Sequence, residues 1–154
     1  MPKVSFAVSK TINAPSSKIY PVLANYRDHH PNILPKAYFA SLVVEEGGVG
    51  QNTVFKASIK VMGAEQFFRM RVAEPEPGRV LTETDVETGL LTTFTVEPRG
   101  AEQADVTIAT EFQPRPGLQG LIERLFSPVF LRRVYRVELQ QLDDYMQQNK
   151  MSGS

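Results

Sequence analysis

The chain has 154 residues, no cysteine, and seventeen basic residues balanced by seventeen acidic ones. That length suits one domain able to bury about 70% of its unfolded surface. Balanced charge removes any global field for nucleic acid or an anionic membrane. The missing cysteine excludes disulfides, thiolate chemistry and Cys-ligated zinc, and fits a reducing cytosol.

The opening residues MPKVSFAVSKTINAP alternate and lack an apolar h-region, so no signal peptide is expected. No stretch approaches eighteen consecutive apolar residues, so no spanning helix and no stable membrane insertion are expected. Lys3 to Asn13 reads as a half-buried strand, with Val4, Phe6, Val8 and Ile12 on one face. Pro15-Ser16-Ser17 then opens a short helix carrying Ile19, Tyr20, Val22 and Leu23. The two prolines in Arg27 to Pro35 allow a second short helix or an irregular turn.

From Ala37 the period is two. Strands are expected near 37–46, 51–62, 65–74, 79–86, 90–97 and 104–113. The breaks between them are short and rich in glycine and proline, so neighbouring strands should form antiparallel hairpins. Gly47-Gly48-Val49-Gly50 lacks the Lys-Ser/Thr of a P-loop and reads as a tight turn with positive φ.

Pro116 to Gln148 reads as a helix much longer than the average of roughly 11–12 residues. Its apolar positions centre on Leu118, Leu121, Ile122, Leu125 and Val129 before Pro128, and on Leu131, Tyr135, Leu139, Leu142 and Met146 after it. The two stripes are offset by about a quarter turn, and Pro128 removes a ladder bond between them, so a bend is expected there. A bent helix of that kind covers a broad, curved apolar surface. Residues 1–148 are expected to form a single domain, with 149–154 as a disordered tail.

The element order is one strand, two short helices, six strands and one long helix, an α+β arrangement. Specific residues carry a resemblance: Ile12-Asn13-Ala14-Pro15 closing the first strand, the helix PSSKIYPVL, Gly47-Gly48-Val49-Gly50, the turn Glu74-Pro75-Glu76-Pro77-Gly78, and Thr92-Thr93-Phe94-Thr95-Val96. Over about residues 3–147 the chain resembles the SRPBCC superfamily, and within it the polyketide cyclase/dehydrase-like branch of START and Bet v 1-type proteins. The resemblance implies a helix-grip fold. In it a seven-stranded antiparallel sheet curves around the C-terminal helix and leaves a ligand cavity between them.

Hairpin arithmetic predicts what faces that cavity. A two-residue Thr88-Gly89 turn pairs Asp85 with Thr92, Glu83 with Phe94 and Leu81 with Val96. The next hairpin puts Phe94 beside Ile108 and Val96 beside Val106, and the preceding one puts Val72 near Leu81 and Met70 near Glu83. One concave face then collects Phe55, Ala57, Ile59, Phe68, Met70, Val72, Leu81, Phe94, Val96, Val106 and Ile108. Glu83, and with it Asp85, shares that face. There Glu83 is either a polar anchor or general acid/base in an apolar pocket, or a partner of a neighbouring strand or core tyrosine, unless a bulge turns it to water. The opposite face carries Lys56, Ser58, Lys60, Glu65, Arg69 and Arg71, a solvated surface without the interleaved aromatics of a nucleic-acid site.

His29 and His30 are adjacent, about 100° apart if helical, and have no third ligand at metal-site spacing. One is expected at the cavity mouth near Tyr26 and the other in solvent, or else one caps the short helix or packs against Pro31. Phe126, Phe130 and Tyr135 on the long helix serve either core packing or a ligand. No nucleophile elbow, zinc motif or calcium loop occurs, and no cofactor or metal is expected.

Three functions remain. The first is binding of a small or elongated hydrophobic molecule, such as a lipid, isoprenoid or polyketide-like compound, in a cavity of about 300–1,000 Å³. The second is a cyclase, dehydratase or isomerase with Glu83 as acid/base, helped by His29, His30 or Tyr26. The third is a protein-interaction module of the chaperone- or ribosome-partner type. The oligomeric state is left open.

Overall fold

The computed structural model describes residues 3–61, 63–113 and 127–152. The alternating segments form seven strands: β1 (Val4–Ile12), β2 (Phe39–Glu46), β3 (Val54–Val61), β4 (Ala64–Glu76), β5 (Val80–Asp85), β6 (Leu91–Pro98) and β7 (Ala104–Phe112). Two α-helices are described, α1 (Ser16–Ala24) and α2 (Pro128–Ser152), with a single 3-10 turn at His30–Asn32 between α1 and β2. All pairings are antiparallel, in the order β1-β7-β6-β5-β4-β3-β2. This is the seven-stranded α+β arrangement expected from the period.

That order puts β1 and β2 at opposite edges although they are neighbours in sequence. The residues between them must therefore travel from one edge of the sheet to the other. This crossing carries Tyr26 and His30 into the core.

Burial alternates along β5, β6 and β7, which fixes the concave face. Leu81, Glu83 and Asp85 lie inward, as do Thr92, Phe94 and Val96, and Ala104, Val106, Ile108 and Thr110. The α2 stripe of Leu131, Tyr135, Leu139, Leu142 and Met146 is buried, together with Val134. Burying each such apolar side chain stabilises by roughly 1.5–3 kcal/mol relative to exposure. The stripe therefore anchors α2 over the sheet more strongly than helix propensity does.

Four expectations need correction. First, α2 begins at Pro128, and Ser127 is not helical. Pro128 occupies the first helical position, where its missing N–H costs nothing, so it starts a helix and does not bend one. The positions expected before it, including Leu118, Leu121, Ile122, Leu125 and Phe126, lie outside the described residues. Second, α2 continues to Ser152, into the stretch expected as a tail.

Third, the β5–β6 register differs by two: Leu81 pairs with Phe94 and Glu83 with Thr92. The connection is wider than two residues. The Asp85 N–H donates to the Leu90 carbonyl (2.9 Å), while the Asp85 carboxylate accepts from the Glu87 N–H (3.1 Å) and the Thr88 hydroxyl (2.7 Å). Asp85 is thus a turn-former. The β4–β5 register also moves by two, to Val72 with Glu83, because β4 runs on through Pro75 with an irregularity between Ala73 and Glu76. A slip of two keeps every side chain on its predicted face. The pairs Phe94–Ile108 and Val96–Val106 are as expected.

Fourth, Ser58 is not solvated. It is fully buried on the outer face, with its hydroxyl 3.0 Å from that of Ser41.

Candidate functional site

The site starts at the exit of α1. The Tyr26 N–H donates to the Gly48 carbonyl (2.8 Å) and the Gly50 N–H to the Ala24 carbonyl (2.9 Å), so the glycine loop clamps the backbone that leaves the helix. Gly48 has φ 143°, and the Arg27 side chain lies where a Cβ would sit, so only glycine fits. Arg27 Nε donates to the Gly47 carbonyl (3.1 Å), which closes the clamp.

So held, the Tyr26 ring stacks on His30 at 4.5 Å and on Phe55 at 4.8 Å between centroids. Its hydroxyl donates to Glu83 Oε2 at 2.6 Å. His30 Nδ1 lies 2.7 Å from the Leu23 carbonyl. A carbonyl only accepts, so Nδ1 carries the hydrogen and Nε2 is left with a lone pair. That Nε2 is 3.8 Å from Glu83 Oε2, beyond hydrogen-bond length, and the ring meets Phe94 edge-on at 5.5 Å.

Burial governs the proton affinities. It pushes the Glu83 carboxyl up to about 7, against the Tyr26 hydrogen bond, which lowers it. It brings His30 down to about 4, so the imidazole is neutral at neutral pH. Tyr26 is raised well above its ordinary value by burial and the nearby Glu83, and stays a donor.

A second polar group comes from α2. The Tyr135 hydroxyl lies 2.6 Å from Thr110 Oγ1 and 3.5 Å from Thr92 Oγ1, which are 2.9 Å from each other. Burial lifts Tyr135 to about 12. One turn further on, Glu138 is 3% exposed, and its Oε2 has no hydrogen-bond partner. Burial, and next the charge of Glu83, raise its carboxyl well above the ordinary range.

Between sheet and helix lies a cavity of about 90 Å³. By this measure a water needs about 10–15 Å³, so the space holds several waters or one small apolar group. It is smaller than the 300–1,000 Å³ expected, because the Tyr26–His30–Phe55 stack and Phe94 fill the volume beside Glu83. Of the candidate residues, His30, Phe55, Ala57, Ile59, Phe68, Met70, Glu83 and Phe94 line it.

Leu81 and Ile108 are buried but do not line the cavity, since they pack in the core beside it. Tyr26, 1% exposed, does not line the cavity and reaches it only through its bond to Glu83, and His30 is 2% exposed. His29 is half-buried, not in solvent, with Nδ1 2.7 Å from the Tyr145 hydroxyl. Phe130 meets Tyr38 edge-on at 5.4 Å outside the lining, and Phe126 lies outside the described residues.

Tyr135, left between core packing and a ligand by the sequence, also lines it, and Leu34, Phe39, Leu42, Leu90, Thr92, Leu131 and Glu138 complete the wall without having been singled out as cavity residues. For Glu138 a signal existed. It sits seven residues after Leu131 and four before Leu142, on the apolar stripe of α2.

Residues 3–147 match the sequence profile of the family described as polyketide cyclase/dehydrase and lipid transport. The chain belongs to this family. The KanY protein, known from a solution structure, superposes with a TM-score of 0.81 at 25% identity, covering 96% of this chain and 99% of that one. The Zhui aromatase/cyclase from Streptomyces sp. R1128 gives 0.74 at 18% identity, covering 96% of each. A START superfamily protein from Mycobacterium smegmatis gives 0.66 at 9%, covering 97% and 99%. A search among curated proteins finds no match. The polyketide cyclase/dehydrase family assignment agrees with the helix-grip fold, the START/Bet v 1-like form seen here. Among the described residues, no helix is long and apolar enough to cross a membrane.

Proposed function

We propose that this protein binds a small hydrophobic molecule in the cavity between its sheet and α2, in the cytosol and without a cofactor. The observation that carries the reading is a space walled mainly by apolar side chains, among them Phe39, Leu42, Phe55, Ile59, Phe68 and Leu131, with Glu83 and Glu138 as its acidic groups. Affinity should follow apolar size at roughly 0.8 kcal/mol per buried methylene. A volume of about 90 Å³ favours a short, compact ligand. An elongated lipid or isoprenoid would have to move a wall.

Native mass spectrometry of the purified protein, with organic extraction, tests this. A co-purifying apolar molecule that is lost in an Ala57→Phe variant with native circular dichroism is expected. Protein that carries no such molecule, and binds none from a panel of small apolar compounds, would remove the reading.

A second reading rests on one specific observation. Glu83 titrates near neutrality, lines the cavity and is held at 2.6 Å by Tyr26. A general acid/base needs that placement and that proton affinity. A cyclase, dehydratase or isomerase would use Glu83 to move a proton at the bound ligand, with Tyr26 orienting the carboxyl. Any turnover found with a carbonyl substrate should fall at least about 100-fold in Glu83→Gln. Unchanged turnover would exclude this role.

A further inference from the structure

Two acids, Glu83 from β5 and Glu138 from α2, line the same cavity, and no lysine or arginine is among the described residues that line it. Glu83 has one donor, Tyr26. Glu138 is almost wholly enclosed, and its Oε2 has none. Tyr135, one turn away on α2, is turned toward Thr110 and Thr92. His30 gives its hydrogen to Leu23 and presents only a lone pair toward Glu83. Among the described residues, Glu83 thus has one hydrogen-bond donor, Glu138 Oε2 has none, and no lysine or arginine lines the cavity beside them.

A buried carboxyl without a partner is costly, and native interiors retain such groups where they act. From this juxtaposition we infer that the cavity takes a hydrophobic amine, a compact apolar body whose ammonium lies between Glu83 and Glu138. This deepens the hydrophobic-ligand reading and rests on it. An ammonium carries three donors and no acceptor, which is what the unpartnered Glu138 Oε2 and its neighbour lack. A neutral hydroxyl or carbonyl would leave the pair without a countercharge.

The empty site resolves the same imbalance by holding protons, since burial favours the neutral form of both carboxyls. Binding is then an exchange in which the ligand's cation enters and a carboxyl proton leaves to solvent. Affinity for an amine should rise as pH rises through neutrality. Tyr26, Tyr135 and His30, the other titratable groups facing the pair, keep their states in that range.

The test is calorimetric titration near pH 8 with n-hexylamine and, as its neutral match, 1-hexanol, in two buffers of different ionisation enthalpy. Hexylamine is expected to bind at least about tenfold tighter than hexanol and to release protons, so its apparent enthalpy differs between buffers. In Glu138→Gln the ratio of the two affinities should fall toward one. Equal affinities in the unaltered protein, or amine binding without proton release, would overturn the amine assignment while leaving the hydrophobic-ligand reading intact. Failure of both compounds to bind would count against that reading itself. Should Glu138→Gln not fold, the proton release of the unaltered protein and the same ratio in Glu83→Gln decide.

Discussion

The two faces of the sheet carry the same residue type in opposite circumstances. On the convex side Glu45 pairs with Arg69 (2.7 Å), Glu76 (2.7 Å) and Glu97 share Arg79, and Asp105 lies 3.4 Å from Arg99. Those bases hold Glu45 and Glu76 below the ordinary carboxylate range, and the Thr11 hydroxyl, with Arg99 after it, does the same for Asp105. On the concave side no lysine or arginine among the described residues lines the cavity with Glu83 and Glu138, and burial pushes both toward the neutral form. The convex acids solve a solubility problem with partners that water can replace. The concave acids weaken the fold, which is why they mark the site and the others do not.

The sharpest way to break that contrast is Glu83→Gln, which removes the charge but keeps an acceptor for Tyr26. In the folded protein Glu83 titrates near 7, well above its unfolded range, so the folded state holds an extra proton between the two values. Stability must then fall as pH rises through that window, by about 3 kcal/mol in total. His30 has the opposite sign. Lowered from 6.5 to about 4, it makes stability rise with pH over that interval and contributes nothing further above it. Urea unfolding should show the variant gaining about 3 kcal/mol on the parent between pH 4 and pH 8. Parallel stability curves would contradict the assignment.

Tyr26→Phe comes next. It takes away the only donor to Glu83 among the described residues and leaves a buried acceptor unsatisfied, at a cost of about 2 kcal/mol. The Glu83 titration should move further up, because the lost bond was lowering it. A cost without that movement, followed by carboxyl NMR, would mean that Tyr26 only packs. Glu138→Leu should act in reverse. It removes a buried acid whose Oε2 has no donor and fills space with methyl groups, so a gain of about 1 kcal/mol at neutral pH is expected from chemical denaturation. A loss of stability would show that Glu138 has a partner holding it in place.

The sequence made the two faces legible because a side-chain period of two survives errors that come in twos. The turn at Thr88-Gly89 is wider than a two-residue hairpin, yet Phe94, Met70 and Glu83 lie on the expected concave face, since a slip of two residues preserves parity. Distances between elements were not legible. The Tyr26–Glu83 bond joins residues 57 apart and depends on a glycine loop gripping the end of α1, which no periodicity encodes. The size of the cavity was also hidden, because it depends on three rings stacking into the space beside Glu83. Glu138 was readable and passed over. An acid on an apolar helical stripe is as informative as one on an apolar strand.

The smallest effect is expected at the convex face, and it is the control that gives the others meaning. Arg69→Ala breaks a two-pronged contact, with Arg69 Nε and Nη2 donating to the two oxygens of Glu45 at 2.7 and 3.2 Å. Glu45 then returns toward the ordinary carboxylate range, because that bond is the main cause of its lowered value. Both groups reach water, so solvent takes over the contact. The unfolding midpoint should therefore barely move, and whatever change appears should fade as salt is raised. If Arg69→Ala proved as costly as Tyr26→Phe, burial would not be what separates the two faces, and the reason for singling out Glu83 and Glu138 would go with it.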